Sequence, residues 1–265
     1  MRPKAWFNEL DADAAMWLRA LVTDGFLPSG GVETRSIVDL KPEDVPRGAD
    51  AHFFAGIGGW PLALEMSEWP AHVPVWTGSC PCQPFSSAGK NDGTDDERHL
   101  WPAWLRLIRE HRPLVAVGEQ VASPSAHDWM RGVQDDLESA GYAVGYAVLP
   151  AAGVAAPHNR ARIYWGAVLV DHAVGAGREL RVAAGHADGA VQKPLPGPWR
   201  DHRRLYCPFD GKERRIPLDA AIPVVAHGLP SRMAELAAKG FGNAIVPLVA
   251  SVFLDAFGQA AGVIR

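Results

Sequence analysis

Residues 50–69 read DAHFFAGIGGWPLALEMSEW, and this stretch decides the fold. Asp50 to Phe54 is a short apolar run with the length of a strand, and it passes directly into the glycine turn 55–59. Residues 60–69 then carry helix-forming side chains, with Pro61 at an early position where a missing N–H costs little. A strand, a glycine turn and a helix in immediate succession make the first half of a βαβ unit. Such units build parallel sheets with helices on both faces.

The same alternation continues on either side. Strands are expected at 4–8, 72–77, 114–118, 142–150 and 162–168. Between them, helical spacing marks 11–22, with Asp11 or Asp13 near its N-cap, then 100–110 and 128–140, the last closed by Gly141. From about 171 to 225 the pattern breaks into scattered Gly, Pro and Arg, and a helix resumes at 244–257. The expected architecture is therefore a doubly wound, mostly parallel α/β sheet with a small variable lobe. A catalytic and cofactor-binding domain would span 1–170, the lobe 171–230, and a segment over 231–265 would return to the first domain.

Composition narrows the class. Hydrophobic residues make up 48% and charged residues 21% of the 265, the balance of an ordinary globular protein. The chain lacks an apolar run of about eighteen residues, so no membrane span is expected. Its charged N-terminal stretch does not read as a secretory signal. Three cysteines do not make a disulfide framework and fit a reducing, cytoplasmic setting. A net charge of −4 excludes a general polycation, so any nucleic-acid partner needs a local basic surface. Arg200, Arg203, Arg204, Lys212, Arg214 and Arg215 supply one against Asp201, Asp210 and Glu213. Alone, that run reads more readily as a solvated loop.

The chemistry concentrates in GSCPCQPFSSAG at 78–89, directly after an expected strand. In a doubly wound sheet this loop opens into the crevice at the carboxyl ends of the strands. Pro81 and Pro84 stiffen the backbone around the Cys82 thiol. A lone cysteine is usually a small buried hydrophobe. Cys80 and Cys82 lack a second pair of ligands at zinc spacing, so no metal is expected.

The full string, however, resembles the nucleophile loop of the cytosine carbon-5 methyltransferases over about a dozen positions. Phe54-Ala55-Gly56-Ile57-Gly58-Gly59 resembles that family's cofactor loop, and Glu119-Gln120-Val121 its Glu-Asn-Val segment. Arg160-Ala161-Arg162 is similar to its arginine pair, and Gly242 to Pro247 (GNAIVP) to the segment that rejoins the cofactor domain. The resemblance implies an S-adenosylmethionine-dependent, Rossmann-like fold, and methyl transfer to carbon 5 of a flipped cytosine in double-stranded DNA.

In that scheme Cys82 is the nucleophile, Glu119 acts at ring N3, and Arg160 and Arg162 support the pocket. Phe54, Gly56, Gly58, Gly59, Pro81 and Asn243 fall to the cofactor, Gln83 and Ser86 to the substrate. Arg203 and Arg204 become candidate DNA contacts. The small lobe is similar to that of compact phage or prophage members, which implies a monomer without a partner nuclease. Transfer RNA as substrate, or a silent DNA-binding homologue, are the competing readings.

Three departures stand out. Gln120 replaces the usual Asn, and His158 stands where Gln is common. The family's acidic cofactor strand should also lie between the glycine loop and the cysteine loop, where only about twenty residues are present. Phe7-Asn8-Glu9-Leu10-Asp11 resembles that strand, with Glu9 for the ribose hydroxyls and Leu10 beside the adenine. Arg35-Ser36-Ile37 stands in for the Gly-Asp-Ile that often follows it. Residues 4–40 are therefore expected to supply displaced elements of the sheet; the alternative is a plain helical extension over 1–45.

Overall fold

The computed structural model describes residues 4–81, 100–154, 156, 159–170 and 244–264, with the backbone of 202–207 and 212–217. Seven strands form one sheet: β1 (Ala5–Asn8), β2 (Gly30–Glu33), β3 (Asp50–Phe53), β4 (Trp76–Gly78), β5 (Val115–Val121), β6 (Tyr142–Pro150) and β7 (Ala161–Leu169). Their order is β2-β1-β3-β4-β5-β7-β6, and β7 alone runs against its neighbours. Two strands, β8 (His202–Cys207) and β9 (Lys212–Pro217), pair as a separate antiparallel hairpin.

This order settles the N-terminal question. β1 pairs with β2 on one side and β3 on the other, both in parallel, so the first forty residues complete the sheet. They are not a helical extension. A five-stranded remnant starting at β3 would have left one side of β3 unpaired and apolar. β2 was not expected: its four residues, Gly-Gly-Val-Glu, carry two glycines and no alternation.

The helices cover both faces. α1 (Ala12–Thr23) starts where the Asp11 carboxylate accepts the Ala14 N–H at 3.0 Å, which decides between the two candidate caps. α2 (Gly59–Met66) follows the glycine turn, α3 (Trp101–His111) and α4 (Pro124–Ser139) follow in order, and α5 (Pro247–Ala260) closes the described chain. α3 and α4 bury Trp101, Trp104, Trp129 and Met130 against one face, around Phe53 and Trp165. α2 and α5 bury Trp60, Leu64, Phe253 and Phe257 against the other. α5 thus lies beside α2 on that face of the sheet.

Some boundaries differ from those expected. β4 is three residues long because Pro70 and Pro74 remove donors ahead of it. The chain joins the ladder only at Val75, whose N–H goes to the Asp50 carboxylate at 3.0 Å. α2 stops at Met66 because Ser67 turns extended and its hydroxyl caps the Leu64 carbonyl at 2.9 Å. α4 begins at Pro124, four residues early, with Ser123 as its cap. β5 runs on to Val121, which places Glu119 on a strand rather than in a loop.

Candidate active site

Because β1, β3, β4 and β5 are parallel, their carboxyl ends share one edge of the sheet, and β7 brings its N-terminal end to that edge. Each expected motif in the described chain occupies one of these ends. Glu9 follows β1, the glycine loop follows β3, Ser79-Cys80-Pro81 follows β4, Glu119 lies two residues before the end of β5, Arg160 precedes β7 and Arg162 is its second residue.

On the cofactor side, the Glu9 carboxylate accepts the Gly56 N–H at 2.7 Å and the Asp11 N–H at 2.8 Å. One acid thus joins β1 to the glycine loop across 47 residues of chain. Gly56 and Gly58 have φ of +55° and +82°, a region that penalises any side chain. A Cβ on Gly56 would meet nothing within 4 Å, so that turn faces open space. A Cβ on Gly59 would come within 2.7 Å of Ile245, which explains how the C-terminal segment rests on the loop. Phe54 also has positive φ (+49°) and meets the Trp104 ring edge-on at 6.0 Å. Leu10 is 63% exposed beside this crevice end. Pro81 is exposed as well.

On the catalytic side, Glu119 is 8% exposed, and Arg162 Nε lies 2.9 Å from its Oε1. The two sit at diagonal positions of the β5–β7 ladder, since Glu119 faces Tyr164 and Val121 faces Arg162. Burial raises the Glu119 carboxyl above its ordinary range, against the opposing pull of Arg162, Arg160 and a hydrogen bond from the Ser79 hydroxyl. Desolvation therefore outweighs two nearby cations. Arg160 has φ of +27°, and its guanidinium donates to the Ala244 carbonyl at 2.8 Å, tying the site to the C-terminal segment.

Gln120 is accommodated without loss of contact. It is buried, its Oε1 accepts the Val121 N–H at 2.9 Å, and its Nε2 donates to the Cys80 carbonyl at 3.3 Å. The longer amide thus anchors the base of the cysteine loop.

Cys82, Gln83, Ser86, His158 and Asn243 lie outside the described residues. Arg203 and Arg204 fall on β8, where Arg204 is the register partner of Arg215. Ser79, Trp60 and Tyr164 were not singled out from the sequence. Ser79 lies inside the string at 78–89 and Trp60 inside that at 50–69, and alternation along β7 puts Tyr164 on the face of Arg162; that signal was available. Among the described residues, no group of three His, Cys, Asp or Glu gathers as a metal site, and no helix is long and apolar enough to cross a membrane.

The strand order and the glycine turn after β3 define a doubly wound, mostly parallel sheet. Residues 64–179 match the family described as C-5 cytosine-specific DNA methylase. The type II methyltransferase M.HgiCII of Herpetosiphon aurantiacus is 34% identical over 103 residues, 37% of this chain and 23% of that protein. M.BanI of Aneurinibacillus aneurinilyticus is 39% identical over 88 residues, 32% of this chain and 21% of that protein. M1.ScrFI of Lactococcus lactis subsp. cremoris is 30% identical over 140 residues, 50% and 36% of the two chains. The chain thus spans about a quarter to a third of the length of these relatives. Among solved structures, the S. pombe Dnmt2 methyltransferase aligns with 71% of this chain and 58% of its own, at 14% identity and a TM-score of 0.38.

Proposed function

We propose that the protein transfers a methyl group from S-adenosylmethionine to carbon 5 of cytosine in double-stranded DNA, with Cys82 as nucleophile. The observation that carries this reading is the buried Glu119–Arg162 pair, set at a strand end beside the root of the cysteine loop. The glycine loop fits the cofactor, since the Gly56 turn faces open space and the Glu9 carboxylate stands beside it. Phe54, Gly56, Gly58, Gly59, Glu9, Leu10, Pro81 and Asn243 would hold the cofactor, which when bound supplies an electrophilic methyl group.

Carbon 5 of cytosine is a weak nucleophile. Addition of the Cys82 thiolate to carbon 6 forms an S–C bond and moves the ring electrons to carbon 5. Glu119, its carboxyl raised by burial, binds a proton more readily than an exposed glutamate and donates it at N3 as charge develops there. Arg162 fixes the carboxyl through Oε1, and Arg160 fixes the pocket wall through Ala244. Loss of the carbon-5 proton to a base then expels Cys82 and restores the ring.

The carbon is hidden in a duplex, so the base is flipped out, with Gln83 and Ser86 beside it. The lobe at 171–230 reads the DNA. Arg203 and Arg204, with Arg204 in register with Arg215 on the β8–β9 hairpin, are the candidate DNA contacts. The protein works as a monomer in the cytoplasm.

Incubation with tritiated S-adenosylmethionine and unmethylated duplex DNA, followed by digestion to nucleosides, tests this. Label is expected in 5-methylcytosine and absent with Cys82→Ala. No label on DNAs of mixed sequence overturns the reading; label in transfer RNA instead redirects it to RNA.

A further inference from the structure

β1 buries three apolar side chains and then an amide: Asn8, its last residue, is 3% exposed. A buried amide is costly unless its N–H groups find acceptors. Asn8 Nδ2 donates to the Arg35 carbonyl at 2.8 Å and lies 3.4 Å from the Glu33 carbonyl. Both partners are main-chain oxygens that only accept, so the orientation of the amide is fixed. The carbonyl of the same residue accepts the Ala55 N–H at 3.0 Å. Asn8 thus meets two distant segments at once, the turn after β2 with its side chain and the glycine loop with its main chain. Glu9 repeats the pattern: its N–H goes to the Glu33 carbonyl at 3.0 Å, and its carboxylate takes the Gly56 N–H at 2.7 Å.

We propose that Asn8 is a positioning residue for cofactor binding, its side chain locking the turn at 33–35 against the end of β1 from which Glu9 reaches the glycine loop. The role given to this end of the sheet rests on the function proposed above. The β1–β2 ladder ends at the Asn8–Glu33 pair, so it does not reach Arg35. The Arg35 guanidinium does not make the link either, being turned to the Glu33 and Asp44 carboxylates. Bonds between Glu33 and Arg35 shape the turn locally, and the Asn8 amide joins its far end to β1. Asn8 and Glu9 share the Glu33 carbonyl, so slack in the turn passes to the acid and through it to Gly56. In the proposed complex that acid is the group that meets the ribose hydroxyls.

S-adenosylhomocysteine, the demethylated product, is the probe, since it binds without DNA or turnover. Asn8→Leu keeps the volume of the side chain and removes both donors, while Asn8→Asp keeps its shape and turns an acceptor toward two carbonyls. In calorimetry each is expected to weaken the probe by roughly tenfold. In methylation assays KM for S-adenosylmethionine should rise as much, with kcat and KM for DNA little changed. A lower melting temperature with wild-type affinity would mean that Asn8 only stabilises the fold, and it overturns the proposal. The 2′-deoxyribose form of the probe sharpens the test. Wild type should prefer the ribose form and both variants should prefer it less, because the acid that reads the hydroxyls has lost its support; an unchanged preference overturns the proposal. Should neither variant fold, amide hydrogen exchange of the wild type decides. The probe is expected to slow exchange over 33–37 as well as 54–59, and no change over 33–37 overturns the proposal. Wild-type protein that does not bind the probe overturns the proposed function itself, a result seen before any variant is compared.

Discussion

Two clusters of arginine and carboxylate in this protein have nearly the same geometry and opposite consequences. Arg162 lies 2.9 Å from Glu119, with side chains 21% and 9% exposed. Arg35 lies 2.7 Å from Glu33 and 3.0 Å from Asp44, with Arg35 47% exposed. At the surface the arginine wins. Its hydrogen bonds hold both carboxyls below their ordinary range. At the end of β5, burial wins, and the Glu119 carboxyl is raised although a second cation, Arg160, also faces it. Distance alone does not set the charge of an acid; the water removed around it does. The surface cluster lies in the turn after β2, whereas the buried pair holds a carboxyl that binds its proton more tightly than an exposed one.

If that contrast is right, the largest effect belongs to the buried acid. Glu119→Gln keeps the shape and removes the proton donor, so methylation is expected to fall by about 10² to 10⁴-fold while DNA binding persists. A turnover within tenfold of wild type would remove Glu119 from the chemistry. The packing around the two clusters sharpens the comparison next. A Cβ on Gly118 would come within 2.5 Å of the Trp165 ring, itself caged by Trp101 and Trp104 at 5.8 and 5.5 Å. Gly118→Ala should therefore cost about 1–3 kcal/mol, read as a lower urea midpoint. Gly31, two residues before Glu33, has nothing within 4 Å of such a Cβ, and Gly31→Ala should leave the midpoint unchanged. Equal midpoints for the two variants would show that the β5–β7 wall is not tight.

The two halves of the sheet were unequally legible. The strands at 142–150 and 162–168 were read within a residue of β6 and β7, because their apolar runs are long. The displaced β1 was legible from Phe7-Asn8-Glu9-Leu10-Asp11, and the structure puts Glu9 beside Gly56. β2 was not, since four residues with two glycines carry no period and gain their place only by pairing with β1. At the site, motif residues announced Glu119, Arg160 and Arg162, but not Ser79 or Trp60. Their link depends on β4 and α2 meeting across 19 residues of chain, and a serine or a tryptophan has no spacing that marks such a contact. Nor could sequence tell that Gln120 folds back onto its own neighbour to reach Cys80.

The contrast also predicts how stability follows pH. A carboxyl raised on folding favours the folded state at low pH, and this contribution is lost as pH rises from the unfolded glutamate value through the raised one. Glu119→Gln should then melt higher than wild type at alkaline pH, with the gap closing below the ordinary glutamate range. A variant that melts lower than wild type at every pH would mean that the lost ion pair outweighs the relief from burial.

The surface cluster has the opposite sign and the smallest effect. Glu33 and Asp44 are lowered on folding, so their contribution is present above the unfolded carboxylate values and disappears as pH falls through the lowered ones. Arg35→Ala should reduce the melting temperature slightly at neutral pH and not at all in strong acid, and added salt should shrink even the neutral difference. The backbone gives this variant a second readout. Arg35 N–H and carbonyl are held by the Glu33 carboxylate at 2.9 Å and the Asn8 amide at 2.8 Å, so the turn keeps its shape without the guanidinium. Cofactor affinity in Arg35→Ala should therefore stay near wild type. A large loss of affinity would show that the exposed arginine, and not the turn it decorates, serves the cofactor site.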